Sequence, residues 1–546
     1  MDPVPGTSTA LRRVAADSAI GAVWTTVSRL TGLLRVVVVG AVLGPTVFAN
    51  LYSATNQLPN LAFELLTGAL LGSLVVPALV RHLDRGRPDA AEYMASSFLT
   101  VTVVAALAVV AVPVLAGPLV LDLLTAGVAD DADAPGTGPA WLLLALLLLQ
   151  VPLYLVAGVG GAVQNAHGRF GLAAAAPVAE NLGIVAVLGA YAATFGTGDP
   201  TGHGYGQVLL LGAGTTGAVL LHAAVQWVGA RRCGVVLRPR PRGVRDGEVL
   251  ELLRLVRPSL GYAAATAGRY LVVIVVAAAV PGGVVAFTIA YAFYNVPVAL
   301  VARPLATATL PGLSRAAQRG DVAGYAGTFA RTAGAVLLVC VPTALWYVAL
   351  SEPLATMVAF GEMASADGRA ALAACLLGLG LGVVGESAVV LGTQASYARG
   401  DGVRPFRAVL LRAVVAVAGM LGAAALLDGP ALLVGVALSV AVSDLLAGAL
   451  LWWWVARPQP GAVGALRRGA VLRPIAAGAA SLLPVLAVLG IADGPDSQLG
   501  ALGLVAVSGT AGLLTYLVTL HLLRTPELGE LAALLRDRRT RSGARG

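Results

Sequence analysis

Apolar stretches of about 20 residues recur along this 546-residue chain, from Ala19 to Leu523, and they restrict its fold more than any other feature. Each is long enough to cross the hydrocarbon core of a bilayer as a helix. In lipid, only helices or a closed barrel satisfy the backbone hydrogen bonds. Runs such as 141–155 and 209–225 lack the polar–apolar alternation of barrel strands. The sequence therefore predicts an all-α polytopic membrane protein.

The composition excludes a water-soluble domain. Charged residues make up 12% of the chain and hydrophobic residues 58%, whereas an average soluble domain carries about 25% charged residues. The net charge of +8 is explained by arginine in cytoplasmic loops, so no nucleic-acid partner is expected. Three cysteines without metal-ligand spacing are interpreted as packing residues: Cys233, Cys340 and Cys375.

About 14 transmembrane spans are predicted, and the charges of their loops set the topology. Even-numbered loops are basic and odd-numbered loops are neutral or acidic, so both termini are expected in the cytoplasm. The predicted spans are 19–43, 52–80, 93–117, 140–166, 171–195, 206–229, 255–280, 284–311, 326–350, 370–396, 405–427, 430–456, 471–491 and 499–523.

Two motifs recur at nearly the same offset. The pattern P-x-L-x-R-x-x-x-R-G at 77–86 returns at 311–320, an offset of 234 residues (311 − 77). A glutamine and an arginine five positions apart at 164–169 return at 394–399, an offset of 230 (394 − 164). Duplication of six spans gives both copies one orientation in the membrane, as in transporters whose two lobes enclose a cavity.

Arginines inside the predicted spans are candidate substrate-binding residues. A charged side chain at the centre of the bilayer costs about 2.5–3.5 kcal/mol on insertion scales, so its presence indicates function. Arg29 and Arg35 lie in the first span, about 120° apart around an ideal helix, unless a bend at Gly32 turns both toward one cavity. Arg269 and Arg303 lie in the seventh and eighth spans.

The acids and the second span complete the candidate site. Asn60 follows Pro59 early in that span, and Glu64 is a candidate ion-pair partner for Arg29 or Arg35. Further buried acids are expected at Glu180, Glu386 and Asp444. Because the planar guanidinium fork matches phosphate and pyrophosphate, the cavity is predicted to take an anion rather than a cationic drug.

Several motifs resemble the MurJ/MviN family of lipid II flippases. S-R-x-x-G-x-x-R and L-P-N-L belong to the first two spans, and the others include L-P-G-L-S and Y-x-R-x-D. They are spread over about residues 18–456, at 28–35, 58–61, 164–181, 310–314 and 397–405. The sequence departs from many members at Val36 and at 63–64, and its seventh and eleventh spans carry no acid for a sodium site.

The resemblance implies a fold of two six-helix lobes plus two C-terminal helices, in the multidrug/oligosaccharidyl-lipid/polysaccharide exporter superfamily. It also implies outward movement of an undecaprenyl-pyrophosphate-linked disaccharide-pentapeptide for peptidoglycan synthesis, with the pyrophosphate held by Arg29 and Arg35. Expected partners are this lipid-linked anionic glycan, membrane lipids and cell-wall synthesis or division proteins. The expected segments are an N-terminus at 1–18, lobes at 19–229 and 255–456, a basic linker at 230–254, extra helices at 457–523 and a tail at 524–546.

Three alternatives remain open. The same fold would serve an exporter of another polyprenyl-linked glycan or of a natural product. A membrane enzyme would need an acidic catalytic or metal cluster on a sizeable outer loop, but these loops are short and 130–133 is interpreted as a solvated turn, so no enzyme is predicted. A scaffold would have no use for costly cavity arginines. No cofactor is expected, and coupling to an ion or to the membrane potential is left open.

Overall fold

The computed structural model describes residues 7–67, 71–126, 136–198, 204–241, 246–457, 469, 471–492, 494–495 and 497–525. All regular elements in these residues are helical. Several of the charges used to predict topology lie outside the described residues: those at 130–133, 199, 242–245, 467–468, 493, 496 and 536–545.

In chain order, the α-helices of the described residues are α1 (Thr7–Leu43), α2 (Val47–Thr67), α3 (Val76–Asp84), α4 (Pro88–Leu115), α5 (Gly117–Leu124), α6 (Thr137–Leu148), α7 (Gln150–Ala166), α8 (Phe170–Phe195), α9 (Tyr205–Arg232), α10 (Gly247–Ala277), α11 (Gly283–Pro297), α12 (Arg303–Gln318), α13 (Val322–Ala349), α14 (Ser351–Val358), α15 (Ala366–Gly380), α16 (Gly382–Ala398), α17 (Val403–Leu426), α18 (Gly429–Ala456), α19 (Leu472–Ile491) and α20 (Gln498–Leu522). Leu71–Val75 and Val298–Ala302 are π-helical, and Gly361–Ala364 is a 3₁₀ turn.

The predicted polytopic all-α class is confirmed. Within the described residues, 12 helices are long and apolar enough to cross a membrane, and the pair α15 and α16, bent by 45°, makes a thirteenth. The predicted span 52–80 corresponds to α2, the π-helical segment and α3, and its residues 68–70 lie outside the described part. Fourteen spans is therefore an approximate count, because the second predicted span comprises more than one helical element and the tenth, α15 and α16, is bent.

The chain forms two compact units. The first comprises Met1–Val285 and Phe360–Met363, and the second Ala286–Ala359 and Ala364–Gly546. Helix α10, which the sequence predicts to open the C-terminal lobe, packs in the first unit. The predicted lobes are defined by the sequence repeat, whereas these two units are defined by packing. The boundaries of the lobes therefore remain a prediction.

Each unit contains a π-helical segment followed by a helix that ends at a left-handed glycine. In the first unit the segment is Leu71–Val75 and the glycine is Gly86, with φ +67°. In the second, Val298–Ala302 is followed by Gly320, with φ +65°. Each glycine is the last residue of one copy of the P-x-L-x-R-x-x-x-R-G motif. Glycine is favoured there because residues with a side chain rarely adopt a left-handed backbone conformation. The duplicated sequence therefore produces the same local structure in both units.

The second repeated motif also makes matching contacts. After α7, the Arg169 Nη1 donates to the carbonyl of Arg232, 2.7 Å away at the end of α9. After α16, the Arg399 Nη1 donates to the carbonyl of Val455, 3.2 Å away near the end of α18. In each unit an arginine thus satisfies a carbonyl near the C-terminus of the helix two elements further on, where a cation is favourable.

The first part of the predicted basic linker lies along α4. Backbone N–H groups in the segment 236–240 donate to side chains one turn apart on that helix: to Glu92 at 3.1 Å, Ser96 at 3.3 Å and Thr100 at 2.8 Å. Alternate residues of an extended chain point the same way, which matches this helical spacing. The linker backbone is therefore fixed to the first unit over this segment.

In the second unit, α16 and α18 approach closely through glycine. A Cβ at Gly385 would overlap the backbone nitrogen of Leu445 and the carbonyl carbon of Asp444. A Cβ at Gly392 of α16 would lie 2.8 Å from Leu451, and a Cβ at Gly378 of the neighbouring α15 would lie 2.6 Å from Ala437, both on α18. Small residues let membrane helices pack at short range, where van der Waals contact replaces the missing hydrophobic effect.

Replacing Gly385 with alanine is expected to destabilise the second unit by about 2–3 kcal/mol, since backbone atoms cannot move aside for a methyl group. Thermal unfolding in detergent would measure the effect. Gly422→Ala is the matched control, because a Cβ there meets nothing within 4 Å. Equal melting temperatures for the two variants would contradict the packing of α16 against α18.

Candidate substrate-binding site

Helix α8 fixes the position of α1 through an asparagine. The Asn181 amide donates to the carbonyl of Ser28 at 3.2 Å and to the Thr31 hydroxyl at 3.1 Å. A Cβ at Gly32 would lie 3.6 Å from that amide nitrogen, an ordinary van der Waals distance, so Gly32 packs beside this contact. Helix α1 continues without a break across Gly32. The contact sets the rotation of α1 and places Arg35 against α8.

Arg35 belongs to a cluster centred on Glu180. The Arg35 Nη1 donates to Glu180 Oε1 at 3.4 Å, and the Tyr154 hydroxyl donates to the same oxygen at 2.9 Å. The His222 Nδ1 lies 2.6 Å from the other oxygen, Oε2. Helices α1, α7, α8 and α9 thus each contribute one polar side chain to a single site in the first unit.

Glu180 is buried, whereas Arg35 is partly exposed and can reach a ligand. Glu180 is only 6% exposed, so its charge depends on these three partners. The Arg35 side chain is 24% exposed. A guanidinium carries five N–H donors, and the contact to Glu180 is the one side-chain hydrogen bond that Arg35 makes to another described residue. The remaining donors suit an incoming anion.

A cavity of about 380 Å³ lies beside this cluster in the first unit. Its lining includes Tyr154 and His222, together with Asn60, Phe63 and Gln226. The Asn60 amide lies 3.4 Å from Gln57 Oε1, to which it donates. Ligand cavities generally measure about 300–1,000 Å³, so this one suits a head-group-sized fragment rather than a whole lipid-linked glycan.

A second charged cluster lies deep in the second unit. The Arg412 Nε donates to Asp444 Oδ1, and the Tyr294 hydroxyl donates to Asp444 Oδ2. The Arg412 Nη2 lies 2.6 Å from Glu386 Oε2, an ion-pair contact without the alignment of a hydrogen bond. Asp444 is fully buried, and Arg412 is 6% exposed. We interpret this cluster as structural, because its guanidinium is enclosed by its partners.

The residues predicted for the site have different surroundings. Arg29 is exposed on α1, and Glu64 is exposed on α2. Arg269 is buried within α10, and Arg303 is exposed at the start of α12 in the second unit. Asn60 lines the cavity. Arg35 has Glu180 as its ion-pair partner, and the predicted pairing of Glu64 and the substrate-binding roles of all six residues remain predictions.

The prediction missed four members of the two clusters. They stand in the apolar spans of four helices: Tyr154 in α7, His222 in α9, Tyr294 in α11 and Arg412 in α17. A polar or ionisable residue in each apolar stretch was the available signal. What the sequence could not supply was the pairing, since Arg35 and Glu180 are 145 positions apart.

The fold defines a multi-pass all-α membrane protein with charged clusters buried between its helices. A solved structure described as lipid II flippase MurJ in an inward closed conformation matches with a TM-score of 0.73 at 16% identity, covering 92% of this chain and 98% of that one. An inward-facing multidrug resistance MATE family transporter of the MOP superfamily matches with a TM-score of 0.60 at 17% identity, covering 81% and 96%. At such identities the likeness establishes the fold.

The chain belongs to the lipid II flippase MurJ family, whose profile matches residues 39–492. A probable lipid II flippase MurJ from Rhizobium meliloti (strain 1021) is 28% identical over 333 residues, covering 61% of this chain and 60% of the relative. The lipid II flippase MurJ of Burkholderia cenocepacia is 26% identical over 388 residues, covering 69% and 72%. The profile match begins just after Arg35, so it includes neither Arg29 nor Arg35, and their substrate-binding roles remain predictions.

Proposed function

We propose that this chain is a flippase, not an enzyme, and that it moves lipid II from the cytoplasmic to the outer leaflet of the bacterial plasma membrane. The observation that carries the proposal is Arg35, a partly exposed arginine inside a membrane helix bundle. Its partner Glu180 also contacts Tyr154 and His222, and both of these residues line the neighbouring cavity. Membership of the lipid II flippase MurJ family supports the same cargo. Lipid II carries a pyrophosphate, which a guanidinium fork binds with two parallel hydrogen bonds.

In the proposed mechanism the pyrophosphate binds to Arg35, with Arg29, Arg269 and Arg303 adding positive charge along its path. Asn60 and Glu64 position the head group, and the polyprenyl tail stays in lipid. The two lobes of the duplication then rock about the loaded site in alternating access. With both termini in the cytoplasm, a membrane potential positive outside favours outward movement of an anion, by about 2.3 kcal/mol per charge per 100 mV.

The proposal needs no cofactor, and its partners are the lipid-linked glycan, membrane lipids and proteins of cell-wall synthesis or division. It is tested by expressing the chain in a bacterium depleted of its own lipid II flippase. We expect restored growth and cell shape. Failure of a correctly inserted chain to restore growth, with lipid II accumulating in the inner leaflet, would overturn the proposed cargo and leave another polyprenyl-linked glycan as the alternative.

A further inference from the structure

We infer that the Glu180 carboxylate competes with the pyrophosphate of the cargo for Arg35. It pairs with Arg35 when the site is empty, and it repels the bound pyrophosphate and so promotes its release. The inference rests on the proposed function of Arg35 and adds a residue that acts on it. Glu180 is a positioning residue, because its described contacts are to Arg35, Tyr154 and His222.

The geometry distinguishes the fixed partners of Glu180 from the displaceable one. His222 lies 2.6 Å from one carboxylate oxygen, and the Tyr154 hydroxyl lies 2.9 Å from the other. The Arg35 contact is the longest at 3.4 Å and falls on the oxygen that already accepts from Tyr154. When Arg35 turns to an incoming anion, Glu180 therefore keeps its two shorter contacts and stays where it is.

Because the Glu180 carboxylate is buried, it can weaken the binding of a pyrophosphate to Arg35. Glu180 is 6% exposed, whereas the Arg35 side chain is 24% exposed, so the acid stays fixed while the base can meet a ligand. A pyrophosphate on the far side of the guanidinium would lie about 6–7 Å from the carboxylate, where two like charges in a protein still repel substantially. Binding is thereby weakened, and release into the opposite leaflet is accelerated.

Replacement of Glu180 by glutamine separates this role from a structural one. Glutamine keeps the shape, accepts from Tyr154 through its carbonyl oxygen and donates to His222 through its amide, but it carries no charge. We expect the Kd for undecaprenyl pyrophosphate in nanodiscs to fall about tenfold, in line with loss of one nearby like charge. We also expect lipid II translocation to slow several-fold, because release becomes limiting.

Two further variants complete the design. Glu180→Asp keeps the charge and is expected not to tighten binding, whereas a purely structural glutamate would make both variants bind more weakly. Glu352→Gln removes one exposed carboxylate from α14 in the other unit and controls for net charge. We expect its Kd to match that of the wild type.

Unchanged or weaker binding by Glu180→Gln would overturn the inference, and so would an unfolded Glu180→Gln protein, since the charge would then be required by the bundle. Absence of pyrophosphate binding in the wild type would overturn it as well. The assay does not require transport. A wild type that moves no lipid II but shows tighter binding on Glu180→Gln would contradict the proposed function alone.

Discussion

Arg35→Gln is expected to reduce lipid II translocation about 100-fold, because a hydrogen bond between charged groups that is lost in a partly buried site costs up to about 3 kcal/mol. Glutamine retains a donor but neither the charge nor the fork that binds two phosphate oxygens. Translocation in proteoliposomes and growth of a flippase-depleted strain would both measure the loss. Arg29→Gln is expected to lower translocation as well.

The matched control for Arg35 is Arg331→Gln. Arg331 is exposed on α13 and donates to the Thr328 hydroxyl at 3.4 Å, so the substitution removes the same charge from a surface of the second unit. We expect translocation close to that of the wild type. Full activity of the Arg35→Gln protein would show that the pyrophosphate binds elsewhere, and would remove the observation on which the proposed function depends.

Arg412→Met is expected to destabilise the folded protein by about 3–5 kcal/mol, the usual cost of removing one partner from a buried ion pair. The substitution leaves the carboxylates of Glu386 and Asp444 buried without the guanidinium that faces both of them. Asp444 is fully buried, so water cannot replace the lost partner without opening the helix packing. The yield of monodisperse protein and its melting temperature would measure the effect.

A compensated variant tests whether charge is the cause. Combining Arg412→Met with Glu386→Gln and Asp444→Asn removes all three charges, and buried ion pairs can often be replaced by neutral groups at little cost. We expect this triple variant to recover much of the lost stability. If it is no more stable than Arg412→Met alone, the arginine contributes through packing rather than through its pairs.

Sequence patterns predict the parts of this fold that depend on local chemistry. A run of about 20 apolar residues specifies a spanning helix wherever it falls, so most predicted spans have matching helices. The duplicated motifs are recognisable because the residues of each lie close together in the sequence, and both units show the same turns there. The break in the second span is not predictable in this way, since a window of hydropathy contains no signal for the π-helical segment Leu71–Val75.

The candidate site is predicted less completely, because its residues meet through tertiary packing. Arg35 of α1 is identified because a charged side chain is costly in lipid. Its partner Glu180 stands on α8, and in the sequence it is one of several isolated acids. His222 reaches Glu180 from 42 positions away and only because α8 and α9 pack side by side. Arg412 escapes prediction although both acids that pair with it stand out in apolar spans, since nothing in a linear pattern joins α17 to α16 and α18.

The central claim, that this chain moves lipid II through an arginine-bound pyrophosphate, is tested most directly in proteoliposomes. Purified protein would be reconstituted with lipid II or with undecaprenyl phosphate, which lacks the second phosphate and the glycopeptide. We predict rapid movement of lipid II that depends on Arg35, and much slower movement of the monophosphate. Equal rates for the two lipids, or lipid II movement that survives Arg35→Gln, would contradict the claim.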